Sequence, residues 1–135
     1  VAAVTRGPAL SDALVRPALA EEIPGGTRVT VRLPVDIAAA QMAGHYPGFP
    51  ILPGVLVIDW VDQTVRSAHG AALRLCGIDR ARFCRPLFPG DELHLAVSVT
   101  REGAGRLAVR ARGVCAQGRT AVELSATYEP VTARA

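Results

Sequence analysis

Between residues 53 and 69 runs PGVLVIDWVDQTVRSAH, the one long helical pattern in a chain whose other apolar segments alternate with period two. Pro53 suits the first helical turn and Gly70 the position just past the end, so the pattern predicts a helix over 53–69, roughly 25 Å long. Val55, Leu56, Val57, Ile58, Trp60 and Val61 leave its first two turns apolar in every direction except at Asp59. That half is expected to be buried all round. Beyond Asp62 the residues turn polar, at Gln63, Thr64, Arg66 and Ser67, as in a helix emerging toward water.

The remaining elements read as strands. In residues 27–33, TRVTVRL, Val29, Val31 and Leu33 share one face and Arg28, Thr30 and Arg32 the other. Pro34 ends this strand, and DIAAAQMAG at 36–44 reads as a short helical turn or coil. After the helix come a region at 72–84 and then LHLAVSVT, RLAVRARGVCA and AVELSATYE, with Leu93, Leu95, Val97 and Val99, and later Val122, Leu124, Ala126 and Tyr128, on inward faces. Tight connections at EGAG and QGR make the last three an antiparallel meander. The predicted order is strand, helix, four strands. Such a sheet has one wet face and one face to cover, and the 53–69 helix is the element available to cover it. The expectation is an α+β fold, an antiparallel sheet wrapped around one long helix, with 1–135 as a single domain.

Size and charge narrow the classes of function. A chain of 135 residues can bury one core without staples. No apolar run approaches the roughly 18–20 residues that cross a bilayer, and VAAVTRGPAL has neither an apolar signal core nor a basic flank, so a cytoplasmic protein with no membrane partner is expected. Cys76, Cys84 and Cys115 show no metal-ligand spacing, so reduced thiols and no metal site are expected. The net charge is +3 and every basic residue is arginine. Arg106, Arg110 and Arg112 fall on one side of a strand pattern, as on a solvated sheet face, and aromatic residues for base stacking are scarce, which sets nucleic acid aside.

The chemistry concentrates in residues 44–63, GHYPGFPILPGVLVIDWVDQ. A carboxyl group in an apolar helix is costly to ionise, which favours the protonated, proton-donating form of Asp59. His45 lies in a loop restricted by prolines and opened to close approach by glycines, where a neutral imidazole can accept a proton. At Gly54 the helix begins, with unpaired backbone N–H groups and the positive dipole end able to polarise a carbonyl, and no side chain to keep it away. Base, acid and oxyanion donor together can remove a proton next to a carbonyl and expel a β-hydroxyl without metal or cofactor. Taken singly, His45 and Asp59 have structural readings as well, a loop histidine and an acid near a helix start.

This stretch resembles the signature of the β-hydroxyacyl-acyl carrier protein dehydratases of the hotdog superfamily, GHFPGxPIxPGVLxxEAxAQ. A second block, GIDRARFCRPLFPGDEL at 77–93, resembles that family's GIDxARFxRPVxPGDxL in the same order, and the two cover about a quarter of the chain. The resemblance implies a hotdog fold and a dimer, with the histidine of one chain facing the acid of the other. It implies that His45 is the base at C2 of the acyl chain, that Asp59 assists the leaving hydroxyl, that the Gly54 amide holds the thioester carbonyl and that Gln63 orients the carboxylate. The substrate it implies is a 3-hydroxyacyl thioester on the phosphopantetheine arm of an acyl carrier protein, the product a trans-2-enoyl thioester, and no other cofactor takes part.

Departures from the signature bear on the details. Position 59 holds Asp where the nearest branch has Glu, and Trp60 and Asp62 stand where the signature has small residues. Trp60 is read as a packing residue that can also shape an acyl tunnel, and Asp62 as solvated or paired with an arginine. The segment before His45 lacks the stretch common in housekeeping fatty-acid dehydratases, which points to a specialised polyketide, polyene or fatty-acid-like pathway. Phe83 and Phe88 are candidates to line the acyl path, and His69 and His94 read as surface residues. Arg82 and Arg85, with Arg66, Arg74 and Arg80, are candidates to receive the acidic carrier protein. Two alternatives stand beside this reading: a hotdog acyl thioesterase, and a catalytically impaired subunit that pairs with another hotdog chain. The assembly expected is a homodimer or such a heterodimer, or a higher assembly built from it.

Overall fold

The computed structural model describes residues 19–38, 54–70, 72–115 and 118–131. His45, Pro53 and the loop between them lie outside the described residues, as does the segment before Leu19.

Six strands and one long helix make up the described fold. Strand β1 (Leu19–Ile23) and strand β2 (Gly26–Pro34) form a hairpin, turned at Gly25 with φ +77°, a left-handed conformation that glycine adopts without strain. A single 3-10 turn, Val35–Ala38, follows. Helix α1 (Gly54–His69) ends as its sequence predicts: Gly70 has φ +93° and its N–H donates to the Arg66 carbonyl at 2.9 Å. Then come β3 (Leu73–Phe83), β4 (Glu92–Arg101), β5 (Leu107–Val114) and β6 (Thr120–Pro130). The sheet order is β1-β2-β4-β5-β6-β3, antiparallel throughout.

The alternation read from sequence sets the two faces. Val29, Val31 and Leu33 of β2, Leu93 to Val99 of β4, Val109 and Ala111 of β5, and Val122 to Tyr128 of β6 contribute the inward, buried residues. They pack with Leu56, Val57, Trp60, Val61 and Val65 of α1. Burying a side chain of this size contributes about 1.5–3 kcal/mol. Thr64, the buried polar residue of the helix, donates to the Trp60 carbonyl at 2.8 Å. The helix lies against the sheet on one side, and the opposite sheet face carries the polar set.

Two expectations need correction. The sequence reading began at β2 and missed β1, because LAEEI is almost wholly exposed and its residues do not alternate. The first half of α1 is not buried all round: Val55 is 57% exposed, and Ile58 and Asp59 are half-buried. In a single chain this side of the helix faces outward. The β4-β5-β6 meander and the 72–84 strand are as read, although β3 is an edge strand, exposed on both faces along much of its length and broken in register near Leu75 and Ile78. Among the described residues no helix is long and apolar enough to cross a membrane.

Candidate active site

Helix α1 positions the carboxyl group. Asp59 and Gln63 are one turn apart, and the Gln63 side-chain amide donates to Asp59 Oδ2 at 2.8 Å, the pairing that i,i+4 spacing allows. Asp59 is half-buried, less enclosed than an acid inside an all-apolar helix would be. Gly54, the first helical residue, precedes it by about 7.5 Å of helix rise. Its backbone N–H belongs to the first turn, which has no intrahelical carbonyl to bind and lies at the positive end of the dipole.

Phe83, the last residue of β3, closes over this helix start. A methyl group added at Gly54 would come within 2.8 Å of the Phe83 ring, so the ring lies directly on the glycine's bare face. Phe83 is half exposed. The register explains its reach: Phe83 pairs with Val122, an inward position, whereas Arg82 pairs with Glu123 on the outer face. The structure therefore brings together Asp59 with Gln63, and Gly54 with Phe83.

Phe88 and Arg85 belong to a different place. With Pro86, Leu87, Asp91, Cys115 and Arg119 they line an open groove of about 410 Å³ beyond the end of β3. The turn that carries Phe88 is closed by its N–H donating to Asp91 Oδ2 at 2.8 Å, and is anchored by Gly90 N–H donating to Asp36 Oδ1 at 2.8 Å. Phe88 and Arg85 line this groove, whereas Phe83 lies against Gly54 and Arg82 pairs across the sheet with Glu123.

A second polar cluster went unread in the sequence. Asp62 accepts from Arg66 Nε at 3.0–3.1 Å and from the Tyr128 hydroxyl at 2.7 Å, while Arg66 Nη1 donates to the Leu73 carbonyl at 2.7 Å. The arginine pairing expected for Asp62 is present, but so is a partner 66 residues away in β6. Burial foremost, then the hydrogen bond to Asp62 and its charge, push the Tyr128 hydroxyl well above the usual tyrosine range. Arg66 thus reaches the Leu73 carbonyl, and Arg74, largely exposed, pairs with Glu129. Asp59, Asp62, Gln63 and Arg66 form one polar stripe along α1, the side that stays half-buried.

The other candidates resolve plainly. Trp60 is fully buried, as its packing role requires, and its indole N–H has no partner among the described residues. His94 faces Glu92 at 2.9 Å, and Arg32 pairs with the same carboxyl group. Chiefly through Arg32, Glu92 is held below the usual carboxylate range. His69 is half-buried, with its Nε2 enclosed and unpartnered among the described residues, rather than a freely solvated surface histidine. Among the described residues no three His, Cys, Asp or Glu side chains group as metal ligands.

Comparison with known proteins agrees with this geometry. The family model described as ApeI dehydratase, ApeI-like, matches residues 21–119. A 3-hydroxyacyl-acyl-carrier-protein dehydratase FabZ from Polynucleobacter necessarius is 40% identical over 93 residues, 62% of this chain and 60% of that one. The FabZ of Haemophilus influenzae is 43% identical over 79 residues, 53% of each chain. This chain thus spans between half and three-fifths of the length of these curated relatives. The dehydratase heterocomplex ApeI:P from Xenorhabdus doucetiae superposes with a TM-score of 0.65 at 26% identity, covering 84% of this chain and 98% of that one. A six-stranded antiparallel sheet with one helix packed on it is the hotdog fold, and by the family match this chain belongs to the ApeI-like dehydratases.

Proposed function

We propose that this protein is a cytoplasmic dehydratase that removes water from a 3-hydroxyacyl thioester on an acyl carrier protein, giving the trans-2-enoyl thioester in a fatty-acid, polyketide or polyene-like pathway. The observation that carries the reading is the Gln63-held Asp59 carboxyl on the same helix whose first residue is Gly54, about 7.5 Å of helix rise away. Families bearing the FabZ and ApeI names are the relatives that support the reaction class.

In this mechanism the Gly54 N–H donates a hydrogen bond to the thioester carbonyl oxygen, and charge moving onto that oxygen is stabilised by the helix dipole. His45 takes a proton from C2. The electron pair forms the C2–C3 double bond, the C3–O bond breaks, and Asp59 protonates the departing hydroxyl so that it leaves as water. A proton then passes from the imidazolium back to the carboxylate, through solvent, to restore both groups. Gln63 fixes the carboxyl rotamer, and Phe83 walls the carbonyl's side of the site. The side chains supply both proton transfers, so the reaction calls for no cofactor beyond the carrier's arm.

His45 and Asp59 act across two chains in this reading. The half-buried stripe of α1 and the exposed Val55 suit a surface that a second hotdog chain covers. That chain is a second copy or a different hotdog protein. The name of the Xenorhabdus complex, a heterocomplex, keeps the second arrangement in view.

Mass spectrometry on a panel of 3-hydroxyacyl carrier proteins tests the proposal, with wild type, His45→Ala and Asp59→Asn side by side. Loss of water by the wild type, reduced by about 100-fold or more in each variant, is the expected result. Dehydration by both variants at the parent rate would overturn the assignment, and release of the free carrier thiol without loss of water would make the protein a thioesterase.

A further inference from the structure

Apolar packing holds α1 against the sheet but does not by itself fix the helix's rotation about its own axis, because burial is not directional. Direction has to come from contacts of fixed geometry. In its second half α1 makes them with two strands: the Tyr128 hydroxyl of β6 donates to Asp62 Oδ1 at 2.7 Å, and Arg66 Nη1 donates to the carbonyl of Leu73, the first residue of β3, at 2.7 Å. Arg66 Nε joins the two by donating to both Asp62 oxygens at 3.0 and 3.1 Å. The Arg66 guanidinium also lies 5.9 Å from the centre of the Tyr128 ring, within cation–π range. Tyr128 is buried and pairs with Leu75 and Leu107, so the sheet and not the helix carries its hydroxyl. Burial foremost, then the bond to Asp62, push that hydroxyl well above the usual tyrosine range, and near neutral pH it is a donor.

We propose that Asp62 is a positioning residue: with Tyr128 and Arg66 it fixes the rotation of α1, and so the place of the Asp59 carboxyl. The inference rests on the dehydratase reading, in which that carboxyl protonates the leaving hydroxyl. At about 3.6 residues per turn Asp62 lies about 60° round the helix from Asp59, and Arg66 about 20°. The sheet therefore grips the same polar stripe that carries the acid. A rotation of about 10° moves a group that reaches about 6 Å from the helix axis by about 1 Å. Misplacement of that size at a reacting centre costs up to about 100-fold in rate. Gln63 offers no correction, since its bond to Asp59 joins two residues of one helix and turns with it. Asp62 is tied instead to a residue 66 positions away in the sheet. The edge strand meets the helix at both of its ends: Arg66 takes the Leu73 carbonyl, and the Phe83 ring lies on Gly54, about 18 Å of helix rise earlier. The small residue that the dehydratase signature has at position 62 offers the tyrosine no acceptor, so the clamp arises from this chain's own departure.

Steady-state kinetics of the full chain tests this, using the 3-hydroxyacyl carrier protein that the wild type turns over fastest, at a temperature where every variant is folded. Tyr128→Phe and Asp62→Ala are expected to lower kcat about tenfold or more, with KM within about twofold of wild type. Asp62→Asn, whose amide oxygen still accepts from Tyr128, is expected to keep kcat within about threefold of wild type. In the Asp59→Asn background Tyr128→Phe is expected to lower the residual rate by less than about twofold, because the group it positions is gone. A contact that only stabilises the fold would lower the melting temperature and leave the kcat of folded protein unchanged. That result, a rise in KM alone, or an equal loss from Tyr128→Phe with and without the Asp59 carboxyl would overturn the proposal, while loss of water by the wild type leaves the reaction assigned. If Asp62→Ala does not fold, Tyr128→Phe, which removes a single oxygen atom, decides the question. A wild type that removes no water from any carrier-bound substrate would overturn the reaction and this inference together.

Discussion

Gly54 begins the helix with the Phe83 ring against its bare face, and in the proposed reaction its amide also meets the substrate carbonyl. Gly54→Ala would put a methyl group 2.8 Å from ring atoms of a half-exposed side chain that can swing outward. We expect the fold to survive, with a melting temperature within a few degrees of wild type, and dehydration to fall by about tenfold or more in kcat/KM as the carbonyl loses its seat. Steady-state kinetics beside calorimetry checks both halves. Tyr128→Phe probes the other cluster. Loss of its bond to Asp62 is expected to cost about 1–2 kcal/mol in urea unfolding near neutral pH. Because the folded hydroxyl titrates above its unfolded value, its contribution is whole below about pH 10 and is lost as pH rises further. Wild type should weaken on that alkaline limb, and the phenylalanine variant should show less of it. At this scale the Asp59–Gln63 pair was legible because both partners sit one turn apart on one helix. The Gly54–Phe83 and Asp62–Tyr128 contacts were not, since each joins an element to a strand whose neighbour only the sheet order reveals.

Elements were legible where burial enforces a period. β2, β4 and β6 alternate because one face meets α1, and the helix stood out against them by its unbroken apolar start and its terminal glycine. β1 was invisible for the opposite reason: LAEEI buries almost nothing, so its residues answer to backbone pairing alone, and only the Pro24-Gly25 turn announces it. The helix's exposed side was misread because apolar residues at Val55 and Ile58 look the same whether the chain's own core or another chain covers them. Gly26 gives this level its test. A Cβ there would fall 1.8 Å from the Val99 carbonyl oxygen, inside the β2-β4 ladder. Gly26→Ala is expected to cost more than about 2 kcal/mol by denaturant midpoint, whereas Gly103→Ala, which meets open space, should be far milder.

Among the described residues the sheet has an unpaired edge at β3, beside exposed apolar groups: Val55 at 57%, Phe83 at 50% and Ile78 at 42%. A long open edge with such a fringe is a surface that proteins cover. We expect light scattering after size exclusion to give two chains per particle, alone or with a second hotdog protein, and Ile78→Asp with Val55→Asp to give a folded single chain without dehydratase activity. A single-chain particle in the wild type under both conditions would remove the two-chain site. Family membership was readable at this scale from two motif blocks, one running into the start of α1 and the other covering the end of β3 with its following turn.

The strand order has one more consequence. Among the described residues β3 has β6 as its sole neighbour in the sheet, yet β6 is the last strand described. During synthesis β3 therefore waits, unmatched in the sheet, until that strand arrives to receive it. The strand that brings Phe83 over Gly54 is thus locked into the sheet after the strands that carry most of the core.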